Sequence, residues 1–188
     1  MARVLPNLGS ASRGRIAAMN ATAITLRFAR RSEAPALALM SRDLVEAGLG
    51  WHYRADRIRQ LIDDVNSVAL AACDGQRVAG FAIMSFGDEH AHLVLLAVRA
   101  AHQRRGIARR MTEWLLESAA TAGIVSIKVE LRTDNVAAYA LYRGLGFVEM
   151  MRAPGYYRGR ETAIFMMRML RPPGLKPHTW RPPTLDRR

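Results

Sequence analysis

Glutamine, arginine and glycine meet at Gln103-Arg104-Arg105-Gly106-Ile107-Ala108, between an apolar run and a helical pattern. The run, Leu93 to Val98, has no polar residue. The helix follows from Ile107, Met111, Leu115 and Ala119, which recur every four residues, with Gly123 where a helix would stop. The first N–H groups of a helix have no intrahelical acceptor and carry positive potential. A glycine there lets a ligand approach the backbone, and Arg104, Arg105 and Arg109 surround it. Such a turn suits a phosphate-bearing ligand. It lacks the Lys-Ser/Thr of a P-loop, so nucleotide hydrolysis is not its natural chemistry.

Other candidate groups are sparser. Cys73 is the single cysteine, so an intramolecular disulfide is excluded and the residue reads as a small apolar strand residue. His90 and His92 have H-x-H spacing without a third ligand nearby, and no metal site is expected. Glu130 lies on the polar face of an alternating strand, where a solvated carboxylate is ordinary; Tyr142 fits equally a helix residue with its ring turned inward.

The elements that must position these groups read in the order β-α-α-β-β-β-α-β-α-β-β. A strand at Ile24–Ala29 precedes a helix with Ser32 as N-cap, Pro35 in its first turn and Leu37, Met40, Leu44 and Val45 on one face. A second helical pattern runs through Ile58, Leu61, Ile62 and Val65. Strands Val68–Cys73 and Val78–Phe86 are joined by the hairpin-type turn Asp74-Gly75-Gln76-Arg77. After the central segment come a strand at Ser126–Arg132, a short helix at Asn135–Leu145 closed by Gly146, and strands at Phe147–Met151 and Ala163–Leu170. Turns join the early strands and helices the later ones. That predicts an α/β fold with a mixed, mostly antiparallel central sheet and helices on both faces. Its ligand site is expected where neighbouring strands diverge.

Half of the 188 residues are hydrophobic, enough for one domain with a sizeable core. No apolar run approaches the roughly 20 residues of a membrane helix, so no membrane partner is expected and the setting reads as cytoplasmic. Residues 1–23 read as a flexible extension, with Met19 an alternative start, residues 24–170 as the folded domain, and residues 171–188, with five prolines, as a disordered tail. The formal charge of +12 invites a nucleic-acid partner, but residues 1–24 carry +3 and residues 171–188 carry +4, leaving a modest +5 for the body. Nucleic acid is not required by that distribution.

Two motifs carry a family resemblance. Gln103 to Ala108 resembles the acetyl-coenzyme A motif Q/R-x-x-G-x-G/A of the GNAT family of N-acetyltransferases. Glu130-Leu131-Arg132, Asn135, Ala138, Leu141-Tyr142 and Gly146-Phe147 resemble its second signature. Within the family the likeness is to the ribosomal-protein alanine N-acetyltransferases, a group that the Gly155-Tyr156-Tyr157 segment also suits. Ala108 stands where glycine is frequent.

The resemblance implies acetyl-CoA as acetyl donor. Backbone groups of Leu96, Ala97 and Val98 would hold the pantetheine arm and thioester, and Arg104, Arg105, Gly106, Ile107, Ala108 and Arg109 would wrap the pyrophosphate. Asn135 would contact the cofactor, Glu130 would be the general base and Tyr142 the general acid. Glu89, His90 and His92 are reserve candidates for the base. The chemistry fits these roles: a protonated amine must lose a proton before attack, and the departing sulfur must gain one. The acceptor is a primary amine: a protein amino terminus, a lysine side chain or a small amine. A basic nucleic-acid-binding module is the competing reading from another class.

Overall fold

The computed structural model describes residues 23–171, so the expected extension and tail lie almost wholly outside the described residues. A seven-stranded sheet runs β1(Thr25–Phe28), β2(Ser67–Asp74), β3(Arg77–Phe86), β4(His90–Val98), β5(Ser126–Arg132), β7(Glu161–Met169), β6(Val148–Tyr157) in space. Every neighbouring pair is antiparallel except β4 and β5. The element order and the mostly antiparallel mixed sheet agree with the reading of the sequence.

Helices cover both faces. On one side α1(Ala34–Leu44) and α2(Ala55–Asp63) pack Leu37, Met40, Ile58 and Leu61 against Phe81, Ile83, Leu95 and Ala97. On the other, α3(Ile107–Thr121) and α4(Val136–Gly144) pack Met111, Leu115 and Tyr142 with Ala82, Met84, Leu93 and Val98. A strand buried on both faces has no polar alternation, which is why β3 and β4 read as unbroken apolar runs.

β4 carries the irregularity that matters most. Ile83 pairs with Leu95 but Met84 pairs with Leu93, so Val94 is an extra residue, a β-bulge. The bulge inverts the strand's phase. Leu93 faces the α3 side, Val94 and Leu95 both face the α1 side, and Leu96 returns to the α3 side. Pairing of β4 with β5 stops after three registers, His90 with Ser126, Ala91 with Ile127 and His92 with Lys128. Beyond them β4 stays on β3 as far as Val98, and β5 stays on β7 as far as Arg132. A wedge therefore opens between Leu93–Val98 and the second half of β5.

Three local expectations are corrected. Ser32 lies inside a 3-10 turn and caps nothing; α1 begins at Ala34, and the Glu33 carboxylate takes the Arg30 N–H at 2.7 Å and the Arg27 guanidinium. Val65 is 94 % exposed and follows the end of α2 at Asp63, so it is not on that helix's inner face. β6 runs to Tyr157 rather than Met151, because it is an edge strand with two register breaks and mostly exposed side chains, which leaves no alternation to read.

Candidate active site

The wedge is the floor of a cleft of about 700 Å³. β4 supplies His92 to Leu96, β5 supplies Glu130 to Arg132, and α4 with its capping residue supplies Asn135, Ala138 and Tyr142. The segment joining α1 to α2 and the end of the β6–β7 hairpin, with Tyr156, Tyr157 and Arg158, close the other side.

Glu130 is the charged centre of this cleft. The Tyr156 hydroxyl donates to Oε2 at 3.0 Å, and Lys128 Nζ and His92 Nε2 each lie 3.7 Å from Oε1. Burial lowers the basicity of His92; Glu130 opposes that and Lys128 adds to it. His92 is therefore a neutral neighbour near pH 7, and Lys128 is the local cation. Burial, with Glu130 adding to it, raises the phenols of Tyr156 and Tyr157, the latter to about 12. Burial also pushes the Tyr142 phenol well up. Tyr142 packs on Phe147 with ring centroids 5.4 Å apart, and its hydroxyl has no protein partner among the described residues. It stays protonated, on the cleft wall, with its proton uncommitted.

At the end of β4 the chain turns into α3. Arg104 has φ +61° and Gly106, the residue before α3, has φ +74°. A Cβ at Gly106 would meet nothing within 4 Å, so the space over the turn is open. The N–H groups of residues 107–109 have no acceptor among the described residues, and Arg104 and Arg105 are exposed without a carboxylate partner there. Gln103 Nε2 donates to the Val98 carbonyl at 3.0 Å, tying the turn to the strand end. Arg109 is committed elsewhere in part: it reaches Glu113 at 3.3 Å and the Gly144 carbonyl at 3.4 Å, which fastens the start of α3 to the end of α4.

Of the residues singled out from the sequence, Leu96, Glu130, Asn135 and Tyr142 share the cleft wall. Asn135 also caps α4, its Oδ1 accepting the Ala138 N–H at 3.0 Å. Ala97 and Val98 are buried on opposite faces of the sheet, and their side chains are not part of the wall. Among the reserve candidates only His92 lines the cleft. His90 lies where the strands are still paired, its Nδ1 2.8 Å from Ser126 Oγ, and Glu89 offers its backbone carbonyl to Val125.

Glu46, which the sequence did not mark, and Arg132 of the second motif together hold the segment that joins α1 to α2. Glu46 is buried, and its carboxylate accepts the N–H groups of His52 at 2.7 Å and Tyr53 at 3.2 Å and the Ser41 hydroxyl at 3.0 Å. Arg132 holds the same segment from outside, donating to the Ala47 carbonyl at 2.8 Å while bridging to Glu161 at 2.6 Å. Sequence spacing could not reveal Glu46, because its partners are backbone groups of an irregular segment. Removing the carboxylate strands one buried hydroxyl, costing about 1–3 kcal/mol, and two half-buried N–H groups that water can partly satisfy. Glu46→Ala is expected to lose about 2–3 kcal/mol and roughly 4–10 °C of melting temperature, with Glu46→Gln partly recovering it. Thermal unfolding followed by circular dichroism checks this, and an unchanged melting temperature would refute the clamp.

The family model for acetyltransferases of the GNAT type matches residues 37–147, from α1 to the end of α4, wedge and turn included. The chain belongs to the acetyltransferase (GNAT) family. Among curated GNAT relatives, the [ribosomal protein bS18]-alanine N-acetyltransferase of Salmonella typhimurium is 41% identical over 93 residues, 48% of this chain. That match spans 63% of the relative's own length. Among solved GNAT structures, the ribosomal-protein-S18-alanine N-acetyltransferase of Escherichia coli superposes with a TM-score of 0.70 at 26% identity, covering 82% of this chain and 99% of that one. The protein yncA of Salmonella typhimurium, solved with its cofactor acetyl-CoA, shares the fold with a TM-score of 0.69 at 21% identity, covering 82% of this chain and 98% of that one.

Proposed function

We propose that this chain is an acetyl-CoA-dependent N-acetyltransferase that moves acetyl to a primary amine by direct attack. We take the acceptor to be a protein amino terminus and the setting to be the cytoplasm. The observation that carries the reading is the wedge between β4 and β5: it gathers Glu130, Tyr142 and the unpaired edge of β4 on one cleft, beside an open anion turn.

The residues present fit the donor. The Gly106 turn offers N–H groups 106 to 109 and the free guanidiniums of Arg104 and Arg105 to phosphate oxygens, while Arg109 braces α4. The unpaired β4 edge near Leu96 offers backbone groups to an amide-bearing arm and N–H dipoles to a polarised carbonyl oxygen. When bound, acetyl-CoA supplies an acetyl thioester open to attack. Glu130 takes the ammonium proton, directly or through a water, with Tyr156 and Lys128 holding the carboxylate in place. Tyr142 donates its proton toward the departing sulfur, and the second proton that the nitrogen sheds as the amide forms restores the phenol, directly or through water. Its phenol is raised by burial, yet the same dry wall disfavours a thiolate, so the two proton affinities move together.

A thiol-release assay with acetyl-CoA against alanine- and serine-initiated peptides, lysine peptides and polyamines tests this, with coenzyme A binding measured in parallel. Turnover on amino-terminal peptides supports the reading. Turnover only on lysine peptides or polyamines moves the acceptor class, and absence of coenzyme A binding overturns the reading altogether.

The anion turn has its own test. Valine at position 106 would place a β-branched side chain at a left-handed backbone position and push it into the space left for phosphate. Gly106→Val is expected to cost about 1–2 kcal/mol of stability from the backbone alone and to weaken coenzyme A binding at least tenfold. Calorimetric titration with coenzyme A checks it, and unchanged affinity would remove phosphate binding from this turn.

A further inference from the structure

We propose that the acceptor half of the cleft selects amine substrates that carry acidic residues just after the reacting amino terminus. The inference rests on the amino-terminal reading above and adds a charge rule to it. It follows from an inventory of charges on the acceptor walls. Glu46 is buried and spent on the backbone of its own segment, and Arg132 is spent on Glu161, Asp134 and the Ala47 carbonyl. Glu130 is the one remaining carboxylate of the lining, and it faces the incoming amine.

Two guanidiniums on the lining have no such commitment. Arg57 of α2 donates only to the Gln60 side-chain oxygen at 3.3 Å, and neither Arg57 nor Arg158 has a carboxylate partner among the described residues. Arg158 sits in the β6–β7 turn at φ +55°, with its guanidinium laid against Gly50, where a Cβ would come within 2.5 Å of Nη2. The glycine thus lets the α1–α2 segment and the hairpin meet, and Arg158 is one of the residues that line the cleft. A smaller groove of about 220 Å³ continues past Arg158 to Arg160, which also lacks a carboxylate partner among the described residues. Tyr53, Arg57 and Glu130 line the same cleft. The phenols of Tyr53, Tyr156 and Tyr157 are all raised, so they offer hydrogen bonds without adding negative charge.

An extended peptide with its amine at Glu130 advances about 3.3–3.6 Å per residue. Its next few side chains then pass between an anionic centre behind and uncommitted cations ahead. Carboxylates there gain attraction, and lysines or arginines meet like charge in a partly desolvated groove.

The test uses alanine-initiated heptapeptides that differ only at positions two to four, with Glu, Gln or Lys. Both kcat/KM by thiol release and affinity for the enzyme–coenzyme A complex by calorimetry are measured. The acidic peptide is expected to exceed the lysine peptide at least about tenfold in kcat/KM, with the gap narrowing as salt rises. In the Arg57→Glu/Arg158→Glu double variant the ranking is expected to invert, an outcome that loss of structure cannot produce. Peptides within about twofold of one another, or a ranking retained in the double variant, would overturn the inference. So would inhibition of all three peptides alike by a short uridine oligonucleotide, which would assign the arginines to RNA. Acidic peptides that bind preferentially but are never acetylated would keep the charge rule and sink the acceptor reading.

Discussion

Replacing Tyr142 with phenylalanine is expected to lower kcat about 10²–10³-fold, a loss of roughly 3–4 kcal/mol of transition-state stabilisation. The expectation comes from what the substitution removes. The ring packs on Phe147 in the α3–α4 core and stays in place; only a hydroxyl is deleted, and that hydroxyl has no protein partner among the described residues. Deleting an unpartnered hydroxyl leaves no orphaned donor or acceptor behind, so stability should change by less than about 1 kcal/mol. Coenzyme A affinity should also survive, because the groups proposed to hold the phosphates lie on the Gly106 turn. The signature is thus a fall in kcat with the fold and donor binding intact. Steady-state kinetics with a matched melting curve would check it, and an active phenylalanine variant would mean the sulfur leaves as a thiolate without help.

The variant also bears on what sequence alone could place. Element order, both site motifs and the strand Ser126–Arg132 were legible because each rests on local spacing. Ile127, Val129 and Leu131 alternate with Lys128, Glu130 and Arg132; the structure buries the first set, exposes Lys128 and leaves Glu130 and Arg132 half-buried on the cleft wall. The strands do diverge, between β4 and β5, and a cleft lies there. What could not be read is why they diverge. The bulge at Val94 lies inside a run with no polar residue, so the phase switch between Leu93 and Leu95 leaves no trace in hydrophobicity. The place of Tyr156 was not legible either: its ring stacks edge-on against Phe165 and Tyr157 while its hydroxyl reaches Glu130. That bond spans 26 positions and depends on the exposed edge strand β6, whose length the sequence understated. Glu46 escaped for a related reason. An acid four residues before Gly50 looks like any solvated helix-end carboxylate until the segment folds back and hands it two N–H groups.

Glu130→Gln is expected to reduce kcat/KM at neutral pH by about two orders of magnitude and to recover as pH rises. The sign follows from the amine rather than from the enzyme. An α-amino group has a reference pKa of about 7.7–8.0, so at pH 7 most of the acceptor is protonated and something must remove that proton. Above about pH 9 nearly all of it is already neutral, and a base gives little further advantage. The deficit of the variant should therefore be largest at pH 6–7 and shrink toward pH 9, while the parent protein depends less on pH over the same range. Glutamine keeps an oxygen that can accept the Tyr156 hydroxyl, now held at 3.0 Å, so the geometry of the cleft should be retained. Its loss of charge leaves Lys128, 3.7 Å away, without a counter-charge, which would itself repel an ammonium and favour the neutral amine. A pH-rate profile of both proteins, taken with a lysine-free peptide, separates the cases. A deficit constant across pH would make Glu130 a binding group rather than the base. Retention of full activity would pass the role to His92, the other titratable group of the β4–β5 floor on the cleft wall, whose imidazole burial keeps neutral and able to accept a proton.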